Sequence, residues 1–225
     1  MKVTTMLNLA TSVVDITPAS KIDLSGFLLR KNPATGVHDP LKMRWISFCD
    51  DAGLCALLGS ADVLSFSRQT FQGMRKKILS GIGNAYAHIG LATSHTHSGP
   101  ATVRLRNCGQ MSRSYLHEMK QSIISSAVAA GTADHSPVAK IRLASTSVDL
   151  NINRRQGESG PVDKELMVLS FDAPDGQCLG TIVNYACHSV VLGHENCAVS
   201  ADYPGALCAA MEQRTGATCV FLNGA

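Results

Sequence analysis

Ile89-Gly90-Leu91-Ala92-Thr93-Ser94-His95-Thr96-His97-Ser98-Gly99-Pro100 passes from apolar to polar within the length of one strand. The apolar half reads as a buried strand ending near Thr93. Two histidines at i and i+2 on extended backbone point to the same side. Imidazole is a common ligand for zinc. Gly99 and Pro100 then stop the strand and turn the chain. The motif is expected to form one edge of an active site; the plain alternative is a pair of hydrogen-bonded side chains. A second segment, Asn184-Tyr185-Ala186-Cys187-His188-Ser189, favours the metal reading, because it too ends an apolar, strand-like run.

Working outward, 225 residues can bury a sizeable core, as one large domain or a piece of a larger one. Charged residues make up 16% and the net charge is +3, with basic residues scattered along the chain. The one tight basic cluster, Arg75-Lys76-Lys77, reads as a solvated helix face, so a nucleic-acid binder is not expected. No apolar run has the length of a bilayer span. The segment Met1 to Asn8 lacks a sustained apolar core and makes a poor signal peptide. There is no Asn-x-Ser/Thr sequon. Eight cysteines occur without a Cys-x-x-Cys pair, and Cys49, Cys55, Cys178, Cys187, Cys208 and Cys219 sit in apolar contexts. Reduced, buried thiols in a cytoplasmic protein are therefore expected. Cys108 and Cys197, in polar loops, are the expected reactive thiols.

Strands are expected over 9–16, 43–48, 54–58, 138–150, 165–172, 178–185 and 218–222, besides the one ending at Thr93. Asp50-Asp51-Ala52-Gly53 reads as a hairpin turn and Asp175-Gly176 as another. Helices are expected over 67–82, 113–130 and 203–215, the second capped by Gly131. A loop through Gly36 to Pro40 and a polar loop from Asn151 to Gly160 complete the plan. Hairpins mixed with helices, without regular β-α-β alternation or an internal repeat, give an α/β (α+β) fold: a layered mixed β-sheet sandwich flanked by helices. The chain stops just beyond a strand, at Asn223-Gly224-Ala225, which reads as a truncated frame or half-protein.

Asp62, His95, His97, Arg154, His188 and Asp202 fall at strand ends or in the loops beyond them, where sites ride on a rigid sheet. A catalytic zinc takes three protein ligands and leaves a position for water. His95 and His97 would be the close pair and His188 the distant ligand. Asp62 reads equally as a carboxylate behind the site or as a turn residue, and Asp202 as a helix cap or a site residue. His38 either lines a pocket or belongs to a plain turn. His194 and Glu195 are expected on the surface, and His88, His117 and His135 carry no functional reading. Cys187 and His188, as strand neighbours, would face opposite ways and not pair as nucleophile and base.

Taken in order, Val14-Asp15-Ile16-Thr17-Pro18, Gly36-Val37-His38-Asp39-Pro40-Leu41, Thr93 to Pro100, Asn153-Arg154-Arg155, Val162-Asp163, Asn184 to His188 and Ser200-Ala201-Asp202-Tyr203-Pro204-Gly205 resemble the N-terminal catalytic domain of neutral/alkaline non-lysosomal ceramidases. The likeness is closer still to bacterial proteins that share only that domain, and it covers nearly all of residues 1–225. The resemblance implies a zinc-dependent amidohydrolase that cleaves the N-acyl bond of ceramide to sphingosine and fatty acid. It implies His95 and His188 as zinc ligands, His97 as a pocket histidine supporting substrate or metal, and Arg154 as the arginine facing the reacting group. An arginine there could steady an oxyanion as water attacks the carbonyl. The family's further ligands, a glutamate and a tyrosine, and a serine after the last strand, lie beyond this sequence. Two other readings stand beside the enzyme: an inactive or binding-only member of the family, and a metal-dependent esterase or amidase for a small soluble substrate.

Overall fold

The computed structural model describes residues 6–19, 21–28, 30–83, 85–157 and 160–224; Met1–Thr5, at the head of the poor signal peptide, lie outside them. Strands β1 (Leu7–Asp15), β3 (Lys42–Asp50), β4 (Cys55–Ala61) and β5 (Tyr86–Thr93), with the short β6 (Ser136–Val138), form one sheet in the order β5-β4-β3-β1-β6. Strands β7 (Lys140–Ser147), β8 (Glu165–Asp172), β9 (Cys178–Tyr185) and β11 (Cys219–Asn223) form a second, in the order β11-β9-β8-β7. Helices α1 (Arg68–Ile82) and α2 (Arg113–Thr132) cover the outer face of the first sheet, and α3 (Asp202–Thr215) packs on β11 of the second. Four layers result, helix–sheet–sheet–helix, and the expected α+β sandwich is the fold observed.

Period-two alternation builds the layers. On β3, Met43 and Trp45 enter the core shared with Met74 and Ile78 of α1 and Met119 and Ile123 of α2. Ile46, one residue on, turns to the opposite face and meets Leu9, Phe171, Ile182 and Val220 between the sheets. On the far sheet Val183, Tyr185, Cys219 and Phe221 face Cys208 of α3. The pleat thus gives strands β3, β9 and β11 two apolar faces, as a strand buried on both sides requires. Serine caps start the long helices: Thr70 N donates to Ser67 Oγ at 3.1 Å, and Tyr115 N to Ser112 Oγ at 3.4 Å.

The two sheets share one wiring. In the first, β1 and β3 are antiparallel, β3 and β4 are antiparallel, and α1 carries the chain from β4 to a parallel β5. In the second, β7 and β8, then β8 and β9, are antiparallel, and α3 carries the chain from β9 to a parallel β11. The sequence shows no repeat; the topology has one. Each half contains one β-α-β unit, and a parallel pair needs such a crossover.

Several local expectations change. The strand expected over 138–150 is two: β6 pairs with β1, and past Ala139 the chain crosses to the other sheet as β7. Gly131 lies inside α2, backed against Ile82, and the helix runs on to Thr132. The loop at Gly36 holds a two-residue strand, β2 (Gly36–Val37), parallel to β10 (Ala198–Val199). Cys49 and Cys55 form a disulfide across the β3–β4 hairpin, where they are direct register partners. That corrects the all-reduced expectation; the other six cysteines are free. Cys108 is buried rather than an exposed loop thiol, and its Sγ lies 3.2 Å from the Gly26 amide that donates to it.

Candidate metal centre

Both histidine segments leave the carboxyl ends of strands that belong to parallel pairs. This is where open α/β sheets place ligands. β5 ends at Thr93, and Ser94 N and His95 N donate back to Ala61 O, at the end of β4, and Val63 O, just past it, at 3.0 and 3.1 Å. These bonds turn the chain so sharply that His95 adopts φ +62°. The extended backbone expected at His95-Thr96-His97 is therefore absent, yet the two rings still gather, with centroids 5.2 Å apart. β9 ends at Tyr185, and His188 follows in a turn. Its ring lies 4.9 Å from that of His95 and 4.7 Å from that of His97.

One nitrogen from each of His95, His97 and His188 lies within 4.8 Å of the others. His95 Nδ1 faces Leu64 O at 2.9 Å, so its Nε2 is the free donor, the usual arrangement behind a metal-ligating histidine. His97 Nε2 and His188 Nε2 are 2.9 Å apart, within the span open to two nitrogens bound about 2.1 Å from one ion. The His97 imidazole is pushed down to about 4, chiefly by burial and then by His188, His95 and Arg30. Burial, with His95 and Arg154, also lowers His188. Metal ligation needs neutral imidazole, and these surroundings supply it. An all-imidazole set suits zinc and its transition-metal neighbours. The residues present fit a metal ion.

The loops that hold the rings are stitched together. Ser189 Oγ donates to Ser94 O at 2.6 Å, His97 N to Ser189 O at 3.2 Å, and Thr96 Oγ1 to Ser200 O at 2.8 Å. Asp202 is neither a simple cap nor a ring partner. From φ +58° its buried carboxylate accepts from the amides of Val191, Leu192 and Tyr203, fixing the turn after His188. Arg30 was not singled out by the sequence. Its guanidinium donates to His97 O (2.7 Å), Asn196 O (2.8 Å), Ser25 O (3.3 Å) and Gly193 O (3.4 Å), and lies over Phe27, whose ring packs on His97. Among the described residues no carboxylate pairs with it. A cation among backbone carbonyls had no pattern by which to be found.

The other candidates separate. Asp62 is buried beneath the sheet ends, paired with Arg44 at 2.9 Å and accepting from Lys42 N, and it joins no imidazole. His38 is exposed, bonded to Asp39 at 2.7 Å, and lines no part of the histidine cavity. His194 and Glu195 are exposed, as expected. Cys187 lies past the end of β9, so strand alternation does not separate it from His188; both line one cavity. Burial raises its thiol, which makes it a poor nucleophile.

That cavity, of about 690 Å³, opens beside His97 and His188. Arg154 and Arg155 line it from the 151–163 loop, and Phe27, Leu150, Ile152, Val162, Val190 and Val191 give it apolar walls. Asn153 shapes the loop: its Oδ1 accepts from the amides of Arg155 and Gln156, and its Nδ2 donates to Pro161 O.

A family model described as neutral/alkaline non-lysosomal ceramidase, N-terminal, matches residues 8–220. Among solved structures, the neutral ceramidase of Pseudomonas aeruginosa superposes with a TM-score of 0.81 at 18% identity, covering 96% of this chain and 38% of that one. A structure described as ceramidase complexed with C2 gives 0.80 at 18% identity, covering 96% and 37%. The chain thus spans under two fifths of the length of either. No curated protein matches.

Proposed function

The chain belongs to the neutral/alkaline non-lysosomal ceramidase family, and from that premise we propose that it forms the zinc-binding part of a hydrolase acting on a carbon–nitrogen amide bond of a lipid substrate. One observation carries the reading: donor nitrogens of His95, His97 and His188, from two separate loops, converge within 4.8 Å at the edge of an apolar-walled cavity. His95 and His188 are the proposed ligands. His97, against both rings, completes the cluster or orients substrate. When bound, zinc supplies Lewis acidity toward a carbonyl oxygen and a water that ionises near neutral pH. Arg154, on the same cavity wall, would donate to the acyl oxygen as charge develops there. The apolar wall from Leu150 to Val191 would hold an acyl chain and exclude water, with ceramide as the proposed substrate. A cytoplasmic location stays a proposal, and the Cys49–Cys55 disulfide weighs against it.

The test is metal content per chain in the purified protein, read beside hydrolysis of an N-acyl amide probe. About one zinc per chain is expected, lost in His95→Ala and His188→Ala. Arg154→Ala is expected to keep the zinc and lose hydrolysis by about 100-fold or more. Unchanged zinc in both histidine variants would sink the assignment. Zinc without hydrolysis would leave a binding-only member of the family.

A further inference from the structure

Leu24 and Arg30 line a second cavity, of about 760 Å³, distinct from the one that Gly26 and Phe27 line beside the histidines. Arg30, Lys31, Arg104, Arg106 and Arg113 line it, with Asp23 as its single carboxylate. The guanidinium of Arg30 is committed to backbone carbonyls, but Lys31, Arg104, Arg106 and Arg113 gather there as well, in a chain whose whole net charge is +3. Asp23, whose Oδ2 accepts from the Gln110 amide at 2.9 Å, offsets one of these charges and leaves the lining strongly positive. The side chains of Lys31, Arg104, Arg106 and Arg113 form no hydrogen bond or ion pair among the described residues. The first turn of α2 opens on the same cavity through Arg113 and Leu116 and contains no acidic residue, so the positive end of the helix dipole adds to the cations. Such a field concentrates anions.

The walls are preformed. Ser25 Oγ donates to Cys108 O at 3.1 Å, Gly26 N to Cys108 Sγ, and Ala101 N to Asp23 O at 3.1 Å. Asn107 turns the wall at a φ of 57°, a left-handed conformation that asparagine adopts readily. Leu105 and Met111, 42% and 40% exposed, give the cavity an apolar side. The volume lies in the range of pockets for small organic ligands and far exceeds one inorganic ion. Arginine forks match phosphate oxygens, and each phosphate brings about −1.5 to −2 charges near neutrality.

We propose that this cavity is a binding site for a soluble small molecule carrying two or more phosphate groups, separate from the histidine centre and adjoining it at Arg30.

The test titrates inorganic tripolyphosphate calorimetrically into the whole, metal-depleted chain. Saturation at one ligand per chain is expected, with affinity falling as salt is added. The Arg104→Gln/Arg106→Gln double variant should bind at least tenfold more weakly. Both side chains are exposed, so its far-ultraviolet dichroism should match the parent. His188→Ala should bind as the parent does, which separates this site from the metal centre. Absence of saturable binding, or equal binding by the double variant, would overturn the proposal. So would association with vesicles of phosphatidylglycerol in phosphatidylcholine without any response to tripolyphosphate, because the anion would then be a lipid headgroup at a membrane surface.

Discussion

Gly26 has a φ of +110°, and a Cβ there would lie 2.4 Å from the His97 ring. The missing side chain is what lets His97 stand where it meets His95 and His188. Gly26→Ala should push that ring out of the cluster, weaken zinc at least tenfold by chelator competition, and cost about 1–3 kcal/mol from backbone strain alone. His97 itself sets a pH dependence. Its folded-state value is about 4, below the ordinary 6.5, so the unfolded chain takes up the proton first. In the metal-free protein this contribution to stability is complete above about 6.5 and is lost as pH falls through 4. Urea denaturation midpoints between pH 7 and 4 should fall steeply, and His97→Gln should flatten the curve. The gathering was legible in sequence: His95, His97 and His188, expected at strand ends, lie together, and Arg154 lines the cavity beside them. The posture of His95 was not. Ser-His-Thr-His alternates like a strand, and only hydrogen bonds to Ala61 and Val63, some thirty residues back, fold it into a turn.

At the scale of elements, the turn carrying His188 is held less by its own residues than by Arg30 and Asp202. Arg30 binds four carbonyls from three segments, and its positive charge also discourages protonation of His97. Arg30→Met keeps an unbranched apolar stem and removes every donor. The variant should stay folded while zinc affinity falls about tenfold, and Arg30→Lys should recover part of the loss; equal affinity in all three proteins would show that the loops hold without it. Strands β8 and β9 were readable to the residue, because their apolar runs flank an Asp-Gly turn. The disulfide could also have been read. Cys49 and Cys55 stand almost symmetrically about the Asp51-Ala52-Gly53 turn of a hairpin that the sequence did reveal, and opposed positions of such a hairpin bring Cβ atoms together. Strand β6 escaped because Ala139 changes sheets without a glycine or a long loop to announce it.

For the whole molecule, the layer between the sheets decides cooperativity. Ile46 is fully buried there against both halves, and Ile46→Ala should cost about 2–5 kcal/mol. If the halves unfold as one, fluorescence of Trp45 in the first sheet and backbone dichroism should lose their signals at one denaturant concentration. Separate transitions would show two folding units. The repeated wiring behind this was invisible in the sequence, since it resides in strand order and direction, which very different residues can encode. It also distributes the site unevenly. His95 and His97 follow β5, the strand after the crossover in the first half, whereas His188 follows β9, the strand before the crossover in the second. The ligands are not symmetry mates. A metal gripped by all three would act as a rivet through two copies of one topology, and its binding energy would count as adhesion between them, growing with the logarithm of free metal once the site is saturated. Stripping it would loosen the seam from the loop end while leaving both sheets intact, a failure by delamination rather than by melting.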